Sequence, residues 1–528
     1  MILRNNVRII SLFVAFILTL SSLPAQNVQP HSIDWTQKLK VPTSQNLDIL
    51  KMDSQSMYYA TSEVMDRIYY SGYLLLTKPH VCRYDRKTGL TIDRQIVLKN
   101  EDTRRALEKI MMIDNTIHVF SSFINKDQKK YYIFDETLGI DSLEQKNDVR
   151  KIAELDYGVL NHGSVNTLTT KITRVRDRVL IQSKINTSDG IFTTSDVFDE
   201  LMNKKASFQH QSLGKEFANF ECTVDRNDNL YVLNSYLNEK KEGCCDVYYF
   251  SKDTKAVKKQ NLAGLQMVGS IQMAVNKKNE LIVAGLFAKA NQESAIGAFS
   301  VLFPPELSYA GKLNSTNFTD AFLTRGLDKK SANNLLKDIK NNVEFNNQCG
   351  YVIDSIHLME NGDFSFLSEM RKLVMKKISQ GAGNYRVKYI YTFGDVYACS
   401  FNADGSLKWS DKVAKNVEKT GLDKIYGQYI SNSGSDGSIN LLLTSYKESK
   451  SFFLKLFGLA HQRLDQTFIA SFDANGKRQD KMLFTDSKLS KRIVPLYTKS
   501  NGDDSFVLVR GDRVLIKVNF TAAELLLK

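Results

Sequence analysis

Proline, cysteine, tryptophan and histidine are all scarce here: the 528 residues include seven, six, two and seven of them. So few prolines leave no Pro-rich spacer between domains. Six cysteines, at 82, 222, 244, 245, 349 and 399, are too few for a disulfide scaffold. "GCCD" at 243–246 is not a Cys-x-x-Cys pair, which removes thioredoxin-like and zinc readings. One bridge, from Cys222 to Cys244 or Cys245, is the most that is expected. The histidines at 31, 80, 118, 162, 210, 357 and 461 stand singly, so no metal centre is expected. The acidic turns "DRNDN" (225–229) and "NGDD" (501–504) read as turns rather than calcium loops. His-Glu-x-x-His, Walker and Gly-x-Ser-x-Gly patterns are absent, and "SGSDG" (433–437) reads as a turn. No catalytic residue and no cofactor are assigned.

After the first twenty residues no apolar run is long enough to span a membrane as a helix. The start itself, "MILRNNVRIISLFVAFILTLSSLPAQ", has Arg4 and Arg8, an apolar stretch Ile9 to Leu20, and small Ala25 before Gln26. That pattern predicts a signal peptide over 1–25, export, and no transmembrane segment once it is cleaved. No cysteine follows the apolar stretch, so a lipid anchor is not expected. The periplasm or an outer-membrane-associated state is the expected location, with the cell exterior as an alternative.

Lys and Arg number 71 against 58 Asp and Glu, a net charge of +13. On an exported protein this suits anionic headgroups, acidic glycans or acidic proteins. Nucleic acid is not expected, because no recognition motif accompanies the charge.

What the chain has in abundance is one repeated pattern: an alternating strand, a short Asn/Asp/Gly/Lys turn, and a second strand. It appears at 48–62, 109–123, 170–183, 221–236, 271–287, 354–370, 427–445 and 494–511. A second hairpin follows most copies, at 80–98, 130–145, 245–262, 397–413 and 467–484, with a more polar outer strand. About eight four-stranded units result, with seven as the alternative, in a chain that is otherwise all-β. Units of this length and make-up are β-propeller blades.

The last unit lacks a fourth strand, while "SIDWTQKL" (32–39) matches the outer-strand sequence "SLKWSDKV" (406–413) and has no unit before it. The N-terminal strand is therefore expected to complete the last blade, making 26–528 one closed ring.

Three stretches exceed the minimal unit. Residues 314–350 carry Leu335, Leu336, Ile339 and Val343 at helical spacing, with Ser331 as the expected N-cap. Residues 371–394 and 446–466 read as strand connections that extend past the sheet. Connectivity puts all three on one face, over blades five to seven. Loops on a rigid scaffold commonly carry binding residues. The candidates are Arg371, Lys372, Lys376, Lys377, Tyr385, Arg386, Tyr389, Tyr391, Phe453, Phe457, His461 and Arg463, with Lys388 and Phe452 beside them. They suit an anionic or aromatic-rich partner, an unknown protein or an anionic glycan of the cell envelope. A hydrolase or lyase acting on such a glycan is the alternative. Binding is favoured because the inserts hold few carboxylates, namely Glu369, Glu448 and Asp465.

The units "SFNADGSLKWSDKV" and "SFDANGKRQDKMLF" resemble the outer hairpin of quinoprotein-like propeller repeats. Residues 351–445, with "DSIHLMENGDFSFLSEM", an excursion, and "YIYTFGDVYACSFNADGSLKW", resemble uncharacterised secreted propeller proteins of Bacteroidota. The resemblance implies fold and export; it brings no catalytic residue with it.

Overall fold

The computed structural model describes residues 36–526, except 40–44, 64–77, 101–102, 147, 157–166, 188–189, 213–216, 238–242, 255, 263–265, 289–294, 341–348, 380–384, 416, 421–426, 435, 449–462, 487–490, 494–498, 501–504 and 515–516. It is a β-propeller of eight antiparallel blades. Blades 1 to 7 cover residues 45–95, 106–156, 167–212, 217–262, 266–317, 349–413 and 429–486. In blade 8, Ser505–Val514 pairs on one side with the short pieces Lys491–Ile493 and Lys499–Ser500, and on the other with Lys517–Leu526.

The strand sequences follow from their positions. Second strands are covered on both faces by neighbouring blades. Leu281–Ala288 is accordingly apolar along its length and wholly buried. Outer strands meet water: Thr91–Gln95 and Lys312–Asn317 are largely exposed and polar. The tight turns use residues that tolerate positive φ. Asp114 and Asn115, at φ 42° and 58°, close a two-residue hairpin between the paired Ile113 and Thr116.

The ring closes with the two chain ends. The Thr36 amide donates to the Ala522 carbonyl at 2.8 Å, and the Ala522 amide donates to Thr36 Oγ1 at 3.0 Å. Leu39 is buried among Leu47, Met57 and Tyr59 of blade 1 and Val507, Val509 and Ala522 of blade 8. Trp35 lies outside the described residues. Its counterpart Trp409 sits on the outer strand Leu407–Val413, stacks on Phe472 of blade 7 and donates from Nε1 to the Ala474 carbonyl at 3.3 Å.

Four local expectations need correction. The outer strand of blade 2 is Arg150–Asp156, beyond the 130–145 hairpin that the pattern suggests. The intervening stretch curls on itself instead. The Leu143 amide donates to the Gly139 carbonyl at 2.8 Å, and the Leu143 side chain fills the core between blades 1 and 2. The helical insert comprises Asp320–Thr324 and Lys329–Lys340, after a strand that continues to Asn317. The longer helix is capped by Asp328, not Ser331: Asp328 Oδ1 accepts the Lys330 and Ser331 amides at 2.9 and 3.0 Å. Finally, Cys222 is a free thiol whose Sγ accepts from Gln182 Nε2 at 2.6 Å, so its bridge to Cys244 or Cys245 is absent.

Candidate functional site

Among the described residues, blade 6 departs furthest from the plain unit. Its second and third strands, Phe364–Ser379 and Tyr385–Phe401, run on together well past the sheet. The pairing continues unbroken from Arg371↔Phe393 to Ser379↔Tyr385. At ~3.3 Å per residue this is a two-stranded ribbon roughly 25 Å long. A bulge at its root sets Met370 against Gly394 and Asp395 together, between the pairs Glu369↔Val396 and Arg371↔Phe393. A Cβ at Gly394 would stand 2.2 Å from Met370 Cε, so any larger residue there would push the Met370 side chain aside.

The root is fixed by charge. Glu369 and Lys415 are both at 0% exposure and form an ion pair. Arg371 Nε donates to the other Glu369 oxygen at 2.7 Å, and its guanidinium lies 3.6 Å from Asp354. Burial lowers the Lys415 pKa, and the Glu369 carboxylate opposes that shift. Tyr429 of blade 7 donates its hydroxyl to the Leu367 carbonyl at 3.2 Å, and burial holds its pKa well above the ordinary phenol value. A short extra strand, Val417–Thr420, pairs with Ile390–Phe393 and braces one edge.

The helical insert docks beside this root. Lys412 Nζ donates to the Leu323 carbonyl at 2.8 Å and faces Asp395 at 3.4 Å. Phe318 and Phe322 stack with centroids 4.2 Å apart, and both pack on Tyr397. Insert and ribbon therefore rise from one face. On blade 7, the strands Ile439–Glu448 and Arg463–Phe472 also extend, with Glu448 paired to Arg463.

Register sorts the candidate residues. Directly opposed residues share a face of an antiparallel pair. One ribbon face carries Leu373, Met375, Val387, Tyr385, Tyr389 and Tyr391, with Lys377 among them and Arg371 at its root. The other carries Lys372, Lys376 and Lys388 among Val374, Ile378 and Ile390. Met375 and Tyr385 are 65% and 66% exposed. Residues 371–394 contain six basic and no acidic residues. Arg371 sits at the root rather than along the free part. Arg386 pairs with Ile378 in the ladder, but its side chain lies outside the described residues, as does that of Arg463. Phe452, Phe453, Phe457 and His461 lie outside them altogether.

Sequence reading missed the buried charges. Lys415 and Glu369 are 46 residues apart, and nothing in either neighbourhood points to the other. It also missed a buried group in blade 2. There, His118 Nδ1 lies 2.8 Å from Asp135, whose other oxygen accepts from Arg150 at 3.1 Å, and Arg105 pairs with Glu136. These groups tie strands together within the blade.

No family model matches the chain, and no curated protein matches it. Solved structures do. The propeller domain of the Trilobed protease from Pyrococcus furiosus is 11% identical at a TM-score of 0.34, covering 83% of this chain and 98% of that one. The polysaccharide lyase Uly1 is 11% identical at 0.34, covering 96% of each. A protein of unknown function from Dyadobacter fermentans is 8% identical at 0.31, covering 94% and 99%. Among the described residues, no helix is long and apolar enough to cross a membrane.

Proposed function

We propose that this chain is an exported binding module that presents the insert-bearing face of blades 5 to 7 to an anionic partner in the cell envelope. Export rests on the N-terminal pattern, and the likeness to secreted Bacteroidota propellers belongs to the same proposal. The observation that carries the binding reading is the ribbon. A stretch of +6 charge and no acid extends from a root buried as firmly as any core strand. A hydrolase or lyase would need converging carboxylates. Glu369 is committed to Lys415 and Arg371, and the side chains of Glu448 and Asp465 lie outside the described residues.

The test is co-purification from the native envelope. Intact protein is compared with a variant in which residues 375–389 are replaced by Asn-Gly. That turn closes the hairpin between the paired Val374 and Ile390. The variant is expected to lose partners that the intact protein retains; identical partner sets would overturn the proposal.

A further inference from the structure

The two faces of the ribbon carry different chemistry, and that difference narrows the partner. Seven of the sixteen exposed large hydrophobic side chains among the described residues lie on this one hairpin: Leu373, Val374, Met375, Ile378, Tyr385, Val387 and Tyr389. A monomeric surface rarely concentrates apolar side chains without a partner to cover them. An anionic glycan chain would want stacking rings and cations on the same side. Here the rings Tyr385, Tyr389 and Tyr391 share one face with a single lysine beyond the root, Lys377, and Lys372, Lys376 and Lys388 share the other with Val374 and Ile378.

An amphipathic element lying in a bilayer interface has that sidedness. Its apolar face sinks into the boundary of headgroups and acyl chains, while long basic side chains on the opposite face stay among the headgroups. Tyrosine suits the same depth, since its ring is apolar and its hydroxyl is hydrated. Backbone groups on the ribbon are also spared much of the cost of that environment, because the two strands pair with each other from Arg371 to Ser379.

From this the geometry points to an anionic lipid surface as the partner of the ribbon. The hairpin lies flat in the headgroup region, with Leu373, Met375, Val387 and the tyrosines inward and Lys372, Lys376 and Lys388 on phosphates, while the long Lys377 side chain reaches from the inward face back to the headgroups. The absence of any Asp or Glu from 371–394 supplies the charge complementarity. The inference rests on the binding-module reading above and specifies its partner.

Vesicle flotation tests it, using protein purified after export. Vesicles of phosphatidylcholine alone are compared with vesicles that also contain phosphatidylglycerol, each at low and high salt. Binding is expected only with phosphatidylglycerol, and it should weaken as salt rises. Two double variants separate the faces: Met375→Ser with Tyr389→Ser, and Lys376→Glu with Lys388→Glu. Each is expected to weaken binding by about tenfold or more. All four positions are exposed, and an unchanged urea midpoint confirms that the variants fold.

Three results overturn the inference: variants that float like the parent, equal binding to both vesicle types, or binding to a soluble anionic polysaccharide without binding to vesicles. A dimer in sedimentation velocity that dissociates on Met375→Ser with Tyr389→Ser would overturn it too, by showing a second copy on the apolar face. If vesicles fail but the Asn-Gly variant still loses envelope partners, the lipid inference falls and the binding-module reading stands. If both experiments fail, both readings fall.

Discussion

One strand of blade 6 lives in two environments. From Phe364 to Glu369 every side chain is buried; from Leu373 to Ser379 every one is exposed. The change occurs across three residues, at the bulge where Met370 crosses Gly394. Side-chain type changes little over the boundary, since each half mixes apolar and polar residues: Phe364, Phe366 and Leu367 with two serines and Glu369 inside, Leu373, Val374, Met375 and Ile378 with two lysines and Ser379 outside. What changes is cover. The inner half lies between blades 5 and 7, and among the described residues the outer half stands uncovered. The same β-forming sequence is thus scaffold in one half and display surface in the other. Most of the stability should reside in the inner half and the partner chemistry in the outer half.

The sharpest way to break that division is at the root. Glu369→Gln would leave Lys415 buried without its counter-charge, which typically costs about 3–5 kcal/mol. A urea midpoint reduced to match is the expected result. Glu369→Leu with Lys415→Met should recover much of the loss, because a well-packed apolar pair replaces a buried ionic one with little net change. A Glu369→Gln protein as stable as the parent would mean that the root is hydrated and the division is wrong.

Ring closure gives the next largest effect. Leu39 is among the four described residues of the N-terminal segment before blade 1, and it fills the seam between blades 1 and 8. Leu39→Ala should cost about 2–3 kcal/mol through the cavity it leaves. Hydrogen exchange should quicken first in blades 1 and 8, well away from the ribbon. Exchange that quickens uniformly around the ring would argue against a local seam.

Legibility in the sequence follows the same division. The blades were readable because each hairpin is local: alternation on both sides of a turn such as "IDNT" needs only neighbouring residues. Closure was readable because Trp35 and Trp409 sit in matching outer-strand patterns. The outer strand of blade 2 was not, because a polar stretch such as "LGIDSLEQ" suits a strand or a coil equally, and burial of Leu143 decides. The N-cap was missed by three residues because Asp328 and Ser331 are both good caps. The extent of the ribbon was visible as two long runs around "SQGAGN". The sorting of its residues into an aromatic face and a basic face required the register, which the sequence alone leaves open by one residue. The Glu369–Lys415 pair was invisible because it depends on the packing of a strand against a connection 46 residues further on.

A smaller effect comes from pH. Burial holds the His357 imidazole below its ordinary pKa, with Asp354 opposing the shift, and its Nδ1 lies 3.2 Å from Ser433 Oγ. The unfolded chain then binds a proton near the ordinary histidine pKa while the folded chain still resists it. Stability should be intact above pH ~6.5 and fall as the pH is lowered from there toward the depressed folded value. His210 contributes in the same direction, also through burial. Urea midpoints at pH 7.5 and pH 5 measure the slope, and His357→Gln should flatten part of it. An unchanged slope would assign the effect elsewhere, His210 first.

The smallest expected change is also the most discriminating for the comparison. Replacing 375–389 with Asn-Gly removes the exposed part of the ribbon but keeps Ile390–Phe393, on which Val417–Thr420 pairs. Exposed side chains contribute little to folding, commonly within about 0.5 kcal/mol. A shorter connection also lowers the closure entropy slightly, in the stabilising direction. The melting temperature should therefore stay within about 2 °C of the parent, while the monomer becomes more soluble for want of its apolar face. A fall of many degrees would show that the outer half packs on the body of the molecule in solution. The two halves of the strand would then form one structural unit, and the ribbon would have no free surface to offer a partner.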